Sequence, residues 1–150
     1  MTLPSLDHLS DTEVHVKVKK DYGNERHSTA ATIRSLAEVE KRGIYREAGF
    51  SSLFLYARDY VGLSDGDAYR YDKAAKCLLR SPEVYEQLQV GEVSLSSLTE
   101  VSRVLTAENQ AEVLKEIQGK SKREVERIAA RYGAPLSQRE KLFVLERFSR

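Results

Sequence analysis

The sequence predicts an all-α domain of about eight short helices, and three observations carry that prediction. Hydroxyl side chains recur at the start of one 3.6-period segment after another, placed to accept from the orphan amides of a first helical turn. Glycines recur where those segments end, as residues suited to a left-handed closing turn. Before residue 140, no stretch reads as β structure. With 150 residues, 41% hydrophobic and 31% charged, the chain is long enough for one core and too apolar for disorder over most of its length.

The elements follow in order, each with its own start and stop. The first, 11–21, opens at Ser10, whose partner Glu13 completes an S-x-x-acid capping box, and stops at Gly23. The second, 28–47, stops at Gly49; the third, 51–61, opens at Ser51 and stops at Gly62. Ser64 with Asp67 forms a second box and opens 64–80. Ser81-Pro82-Glu83 opens 82–90, because proline at the first helical position gives up only a hydrogen bond it could not have made, and Gly91 closes it. Ser94 opens 94–104, Thr106 opens 107–118 ahead of Gly119, and the box of Ser121 with Glu124 opens 121–132 ahead of Gly133. Residues 1–134 thus form the helical domain. The remainder, 135–150, is a tail or the start of a further region, in which "KLFVLERF" after the break "YGAPLSQ" forms either a short strand or a last helix.

Composition removes several functional classes. A net charge of +1 provides no global basicity, so any case for nucleic acid rests on local charge. The single cysteine, Cys77, has no intramolecular partner, and no Cys/His spacing suits zinc. With no leader and no long apolar run, the expectation is a cytoplasmic protein without a membrane partner. His8, His15 and His27 lack helix-face partners and read as surface residues. No HExxH, phosphate loop, nucleophile elbow or DxDxDG occurs, so the chain is expected to be non-catalytic, with no cofactor, metal or small-molecule substrate. Cys77 reads as a half-buried small hydrophobe rather than a reactive thiol.

One constellation remains, in residues 51–80. A helix-turn-helix needs a first helix, a sharp turn, an apolar plug and a capped second helix that enters the major groove. "SSLFLYARDYVG" provides the first helix, Gly62 the turn, Leu63 the plug and Ser64 the cap. Ala57, Val61, Leu63, Ala68 and Tyr71 then stand where the two helices meet. One position departs from the pattern: four residues before the glycine, where close approach favours a small side chain, stands Arg58, with Ala57 one position earlier.

On the second helix, Tyr69, Lys73, Lys76 and Arg80 fall within roughly 60° of one another, opposite Ala68, Tyr71, Ala75, Leu78 and Leu79. Lys73, Lys76 and Arg80 can follow phosphates, while Tyr69 and Arg70 near the helix start reach base edges or backbone. The competing explanation is a solvated face, paired with Asp65, Asp67 and Asp72 of the same helix. A second basic cluster, Lys120, Lys122, Arg123, Arg127 and Arg131, lies in "GKSKREVERIAARY". There the Ser121-capped helix start and Lys120, Lys122 and Arg123 would together suit a phosphate, with Val125, Ile128 and Ala129 buried.

"RGIYREAGFSSLFLYARDYVGLSDGDAYR" and "GKSKREVE", within a stretch covering about residues 26–132, resemble the helical region found ahead of HNH endonuclease domains. The segment 62–131 also resembles the helix-turn-helix core of ParB/KorB-type partition proteins: a Gly-Leu-Ser turn into a recognition helix, a "PEV" and "VSL" helix pair, and a closing "SKREVE" helix. These resemblances imply binding of double-stranded DNA through the helix 64–80, and a nucleoid location. They also imply that "EKLFVLERFSR" begins a region leading to a nuclease domain in longer relatives. The His-Asn-His metal finger is absent from these residues, as is the partition family's nucleotide-binding motif, so neither activity is carried over.

Two expectations of different class follow. The first is a DNA-binding helix-turn-helix protein, acting as a regulator, a nucleoid-associated protein or a targeting module related to HNH nucleases, with contacts at Ser64, Tyr69, Arg70, Lys73, Lys76, Arg80, Lys120, Lys122 and Arg123. The alternative is a helical protein-interaction or oligomerisation module that docks through exposed apolar residues such as Leu53, Phe54 and Leu55, or Phe143, Val144 and Phe148 of the tail. A homodimer is compatible with both.

Overall fold

The computed structural model describes residues 3–134, and among them every regular element is helical. The expected strand or helix of the tail, with Phe143, Val144 and Phe148, lies outside the described residues. The chain runs α1 (Asp11–Arg42), α2 (Ile44–Glu47), α3 (Leu53–Tyr56), a π-helical turn (Ala57–Val61), α4 (Asp65–Arg80), α5 (Val84–Val90), α6 (Leu95–Ser102), α7 (Gln110–Ile117) and α8 (Lys122–Gly133).

α4 is the central element. It packs against α1 and α6, and touches α3, the π turn and α5; α8 lies across α6 and α7. Its inward positions are mostly small, with Ala68, Ala74, Ala75 and Cys77 fully buried, so neighbouring helices approach closely. Larger side chains complete the same core: Ile33 from α1, Leu53 from α3, Leu98 and Val101 from α6, Leu114 and Ile117 from α7 and Val125 from α8. Each Leu or Ile buried this way contributes about 1.5–3 kcal/mol relative to exposure.

Where the sequence predicts two helices at 11–21 and 28–47, the structure has one continuous helix of 32 residues, about 48 Å long. Gly23 lies inside it. A glycine in a helix interior costs only about 1 kcal/mol, and the Arg26 guanidinium beyond it stacks 5.1 Å from the Tyr22 ring while its Nε donates to the Gln89 carbonyl at 3.4 Å. The stop is Gly43 instead, with φ 68°, its N–H bonded back to Glu40. Only the second half of α1 enters the core, through Ala30, Ile33, Leu36 and Ala37; the first half stands exposed, with Val16, Val18 and Tyr22 in solvent. That half is held by the Ser10–Glu13 capping box and by the Lys17–Asp21 ion pair.

Other starts are shifted. Ser52, not Ser51, caps α3 by accepting from the Leu55 N–H. Pro82 is not at the first position of α5, which begins at Val84; Ser81 ends α4, and its hydroxyl is buried without a hydrogen-bond partner among the described residues. Ser94 and Ser121 cap as expected, and Thr106 pairs reciprocally with Asn109 in the turn ahead of α7. Ser64 caps α4, yet Asp67 does not return the bond, so that box is half formed. Gly133 is the last residue of α8 and keeps negative φ.

Candidate nucleic-acid interface

The two helices ahead of and behind Gly62 are joined by an unusual turn. Residues Ala57–Val61 widen to π-helical spacing, so that the Gly62 N–H donates to the Ala57 carbonyl, five residues back, and the Leu63 N–H reaches the same oxygen at 3.1 Å. This explains the misplaced arginine in the pattern. One extra residue per turn moves the close-contact position from Arg58 to Ala57, which is fully buried, while Arg58 reaches out to Asp59 at 2.8 Å and to Asp65 at 3.6 Å. The Arg58 guanidinium holds the Asp59 carboxyl below its usual range.

Gly62 then takes φ 93°, a left-handed value that L side chains rarely adopt. No atom lies within 4 Å of a methyl added there, so its substitution isolates the backbone cost. Gly62→Ala is expected to lower the unfolding free energy by about 1–2 kcal/mol, measured by urea denaturation; an unchanged midpoint would show that the turn relaxes to another conformation. Leu63 packs partly buried against the core as the expected plug, and Ala68 is fully buried. Val61 does not join the helix contact and is exposed.

The open face of α4 is the one expected. Tyr69 is 50% exposed, Arg80 is exposed, and Lys73 and Lys76 lie partly open between them. The Lys73 ammonium sits 5.3 Å from the Tyr69 ring centre, a cation–π contact, and among the described residues no carboxylate matches its charge. Arg80 likewise has no carboxylate partner among the described residues. Two of the expected cations are paired instead. Arg70 Nη2 meets Asp67 at 2.5 Å, and Lys76 Nζ meets Asp72 at 3.1 Å. Asp72 is only 5% exposed, so Lys76 carries part of the support for a buried carboxylate as well as facing solvent. The remaining acid, Asp65, lies 3.6 Å from Arg58.

Besides the burial of Asp72, α4 differs from expectation at Leu79 and Cys77. Leu79 is exposed rather than inward. Cys77 is fully buried, not half-buried, and burial pushes its thiol up to about 11, so it carries no thiolate near neutral pH.

The second cluster is divided. Lys120, Lys122, Arg123 and Arg127 are exposed at the start of α8. Lys120 and Lys122 line a small cleft of about 80 Å³ with Ser94, Ser96, Ser97 and Glu100, where the starts of α6 and α8 come together. The Gly119 N–H, donating to the Glu92 carbonyl at 2.9 Å, ties the two loops. The α8 start already has an acid: Glu124 accepts from the Ser121 N–H, a bond that holds its carboxyl below the usual range. Arg131 does not belong to this surface. It is 4% exposed and bonded to Glu116 of α7 at 2.5 Å. α6 packs against both α4 and α8.

The exposed apolar trio of the alternative reading does not survive as a unit. Leu53 is buried in the core, and Phe54 and Leu55 are partly covered. Sequence reasoning overlooked Gly66, which leaves the first turn of α4 bare beneath the Arg70 guanidinium, and it did not foresee the burial of Asp72. His8, His15 and His27 are all exposed. Among the described residues, no three His, Cys, Asp or Glu side chains are grouped to hold a metal, and no helix is long and apolar enough to cross a membrane. Compared with protein-family models, curated proteins and solved structures, the chain matches none.

Proposed function

We propose that this chain is a DNA-binding module that places α4 on duplex DNA, and that it acts without catalysis of its own. The observation that carries the reading is the single row of Tyr69, Lys73, Lys76 and Arg80 along the open face of a helix presented by a left-handed glycine turn, with Lys73 and Arg80 free of carboxylate partners among the described residues. Phosphates take the place of missing counter-ions on such a row, and Tyr69 stands toward the end that enters a groove. Lys120, Lys122 and Arg123 add a second contact to the backbone. A nucleoid-associated, regulatory or nuclease-targeting role accords with the resemblance to regions that precede HNH domains.

A helical interaction module is the second reading, and one observation favours it: the exposed first half of α1, with Val16, Val18 and Tyr22 in solvent. Salt separates the two readings. Each phosphate neutralised releases counter-ions and steepens the fall of log K with log salt by about 0.9. Anisotropy of a labelled duplex is therefore expected to show binding at low salt that weakens with a slope of about −3 from Lys73, Lys76 and Arg80, and steeper, toward about −5, with Lys120, Lys122 and Arg123 also on phosphates. A folded protein that leaves the duplex unbound at low salt would end the DNA reading.

A further inference from the structure

We propose that Arg70 is the base-reading residue of α4 and that it selects guanine; this rests on the DNA-binding reading above. Three features place it. The side chain runs back toward the start of its helix, as helical side chains do, and its guanidinium lies over Gly66, 3.5–3.8 Å from where a Cβ would stand. Because Gly66 has no side chain, the guanidinium is open on that side, and the Arg70 side chain is 41% exposed. Asp67 holds the group there through one bond, Oδ1 to Nη2 at 2.5 Å.

That single bond orients the arginine without consuming it. A guanidinium has five N–H donors, and Asp67 takes one of them. The Nη1 hydrogens and the second Nη2 hydrogen remain as a planar fork, the shape that matches O6 and N7 of guanine in the major groove. A pre-oriented fork loses less conformational freedom on binding than a free one. Adenine offers a donor where guanine offers O6, so the fork meets a donor there and the pair is lost. Tyr69, Lys73 and Arg80 do not compete for this role; they lie along the neighbouring row and meet backbone. Asp67 is a positioning residue, acting only through Arg70.

The test is enrichment from a duplex library with a randomised centre, followed by anisotropy on the enriched duplex and on its guanine-to-adenine version. Wild-type protein is expected to fix at least one guanine and to prefer it roughly 10- to 100-fold. Arg70→Lys, which keeps the charge and loses the fork, is expected to bring that ratio near one, with the salt slope of binding to unselected duplex kept because the charge is kept. Asp67→Ala is expected to give an intermediate ratio; the full wild-type ratio in that variant would overturn the positioning role. Wild-type binding with no fixed guanine, or a guanine preference that survives in Arg70→Lys, overturns the proposal and leaves DNA binding intact. Failure of the folded wild type to bind any duplex overturns both.

Discussion

Reversing Lys73 and Arg80 together to glutamate is expected to reduce duplex affinity on the order of 100-fold at low salt and to flatten the salt dependence by about two phosphates' worth. The pair is chosen by the structure. Both residues lie on the open row of α4, and neither has a carboxylate partner among the described residues, so their reversal removes cations without orphaning an anion. Lys76 belongs to the same row and is the worse choice. Its ammonium is the ion partner of Asp72, and a glutamate there would place a second acid one turn from a buried carboxylate. A Lys76 variant that fails to bind DNA could fail simply by unfolding. With Lys73→Glu/Arg80→Glu, far-UV circular dichroism and the denaturation midpoint are expected to match the wild type. Affinity within threefold of wild type, in a protein so verified, would move the binding surface off α4.

Replacing Glu116 with alanine is expected to be the most destabilising of these substitutions, by about 3 kcal/mol. The carboxylate meets the Arg131 guanidinium in a two-oxygen bond between α7 and α8, and Arg131 is nearly inaccessible to water. Without Glu116 the buried guanidinium loses this two-oxygen contact from α7, and removing one partner of a buried charge costs more than the pair itself contributes. The value lies at the lower end for buried pairs because Glu116 is itself 33% exposed and water enters on its side. Burial, with Glu116 as the next cause, also pushes the Tyr132 hydroxyl well above the ordinary tyrosine range. Urea unfolding measures the loss; less than about 1 kcal/mol would mean that the guanidinium is supported by other groups. DNA binding by the folded fraction is expected to be unchanged, which separates this variant from those on α4.

The parts that could be read in advance are those written locally in the chain. Ser10, Ser94 and Ser121 each cap a helix because the acceptor and the amide it serves lie three residues apart. The open face of α4 follows from helical periodicity alone, since Tyr69, Lys73, Lys76 and Arg80 recur every three or four residues. Glycines were harder. Gly23 and Gly43 are the same residue in composition, and only the packing of the α1 stripe against α4 and α5 decides that the chain passes through one and bends at the other. Contacts made through space left no local mark at all: Arg131 meets an acid fifteen positions away, and the burial of Asp72 depends on the helices that cover α4. Leu53 reads as an exposed anchor in a string of apolar residues until the fold turns it inward.

The π turn has a consequence for chain length. A segment that carries one residue more than an α-helical turn needs, and bulges to contain it, keeps every later residue in phase. A relative lacking one of residues 58–61 would close an ordinary α-turn at the same place, set its small residue four positions before the glycine, and present its second helix at an unchanged angle. The hairpin leading to α4 is thus indifferent to a single-residue deletion at this one point, whereas the same deletion inside α4 would rotate the remaining row by about 100° and scatter its charges around the helix.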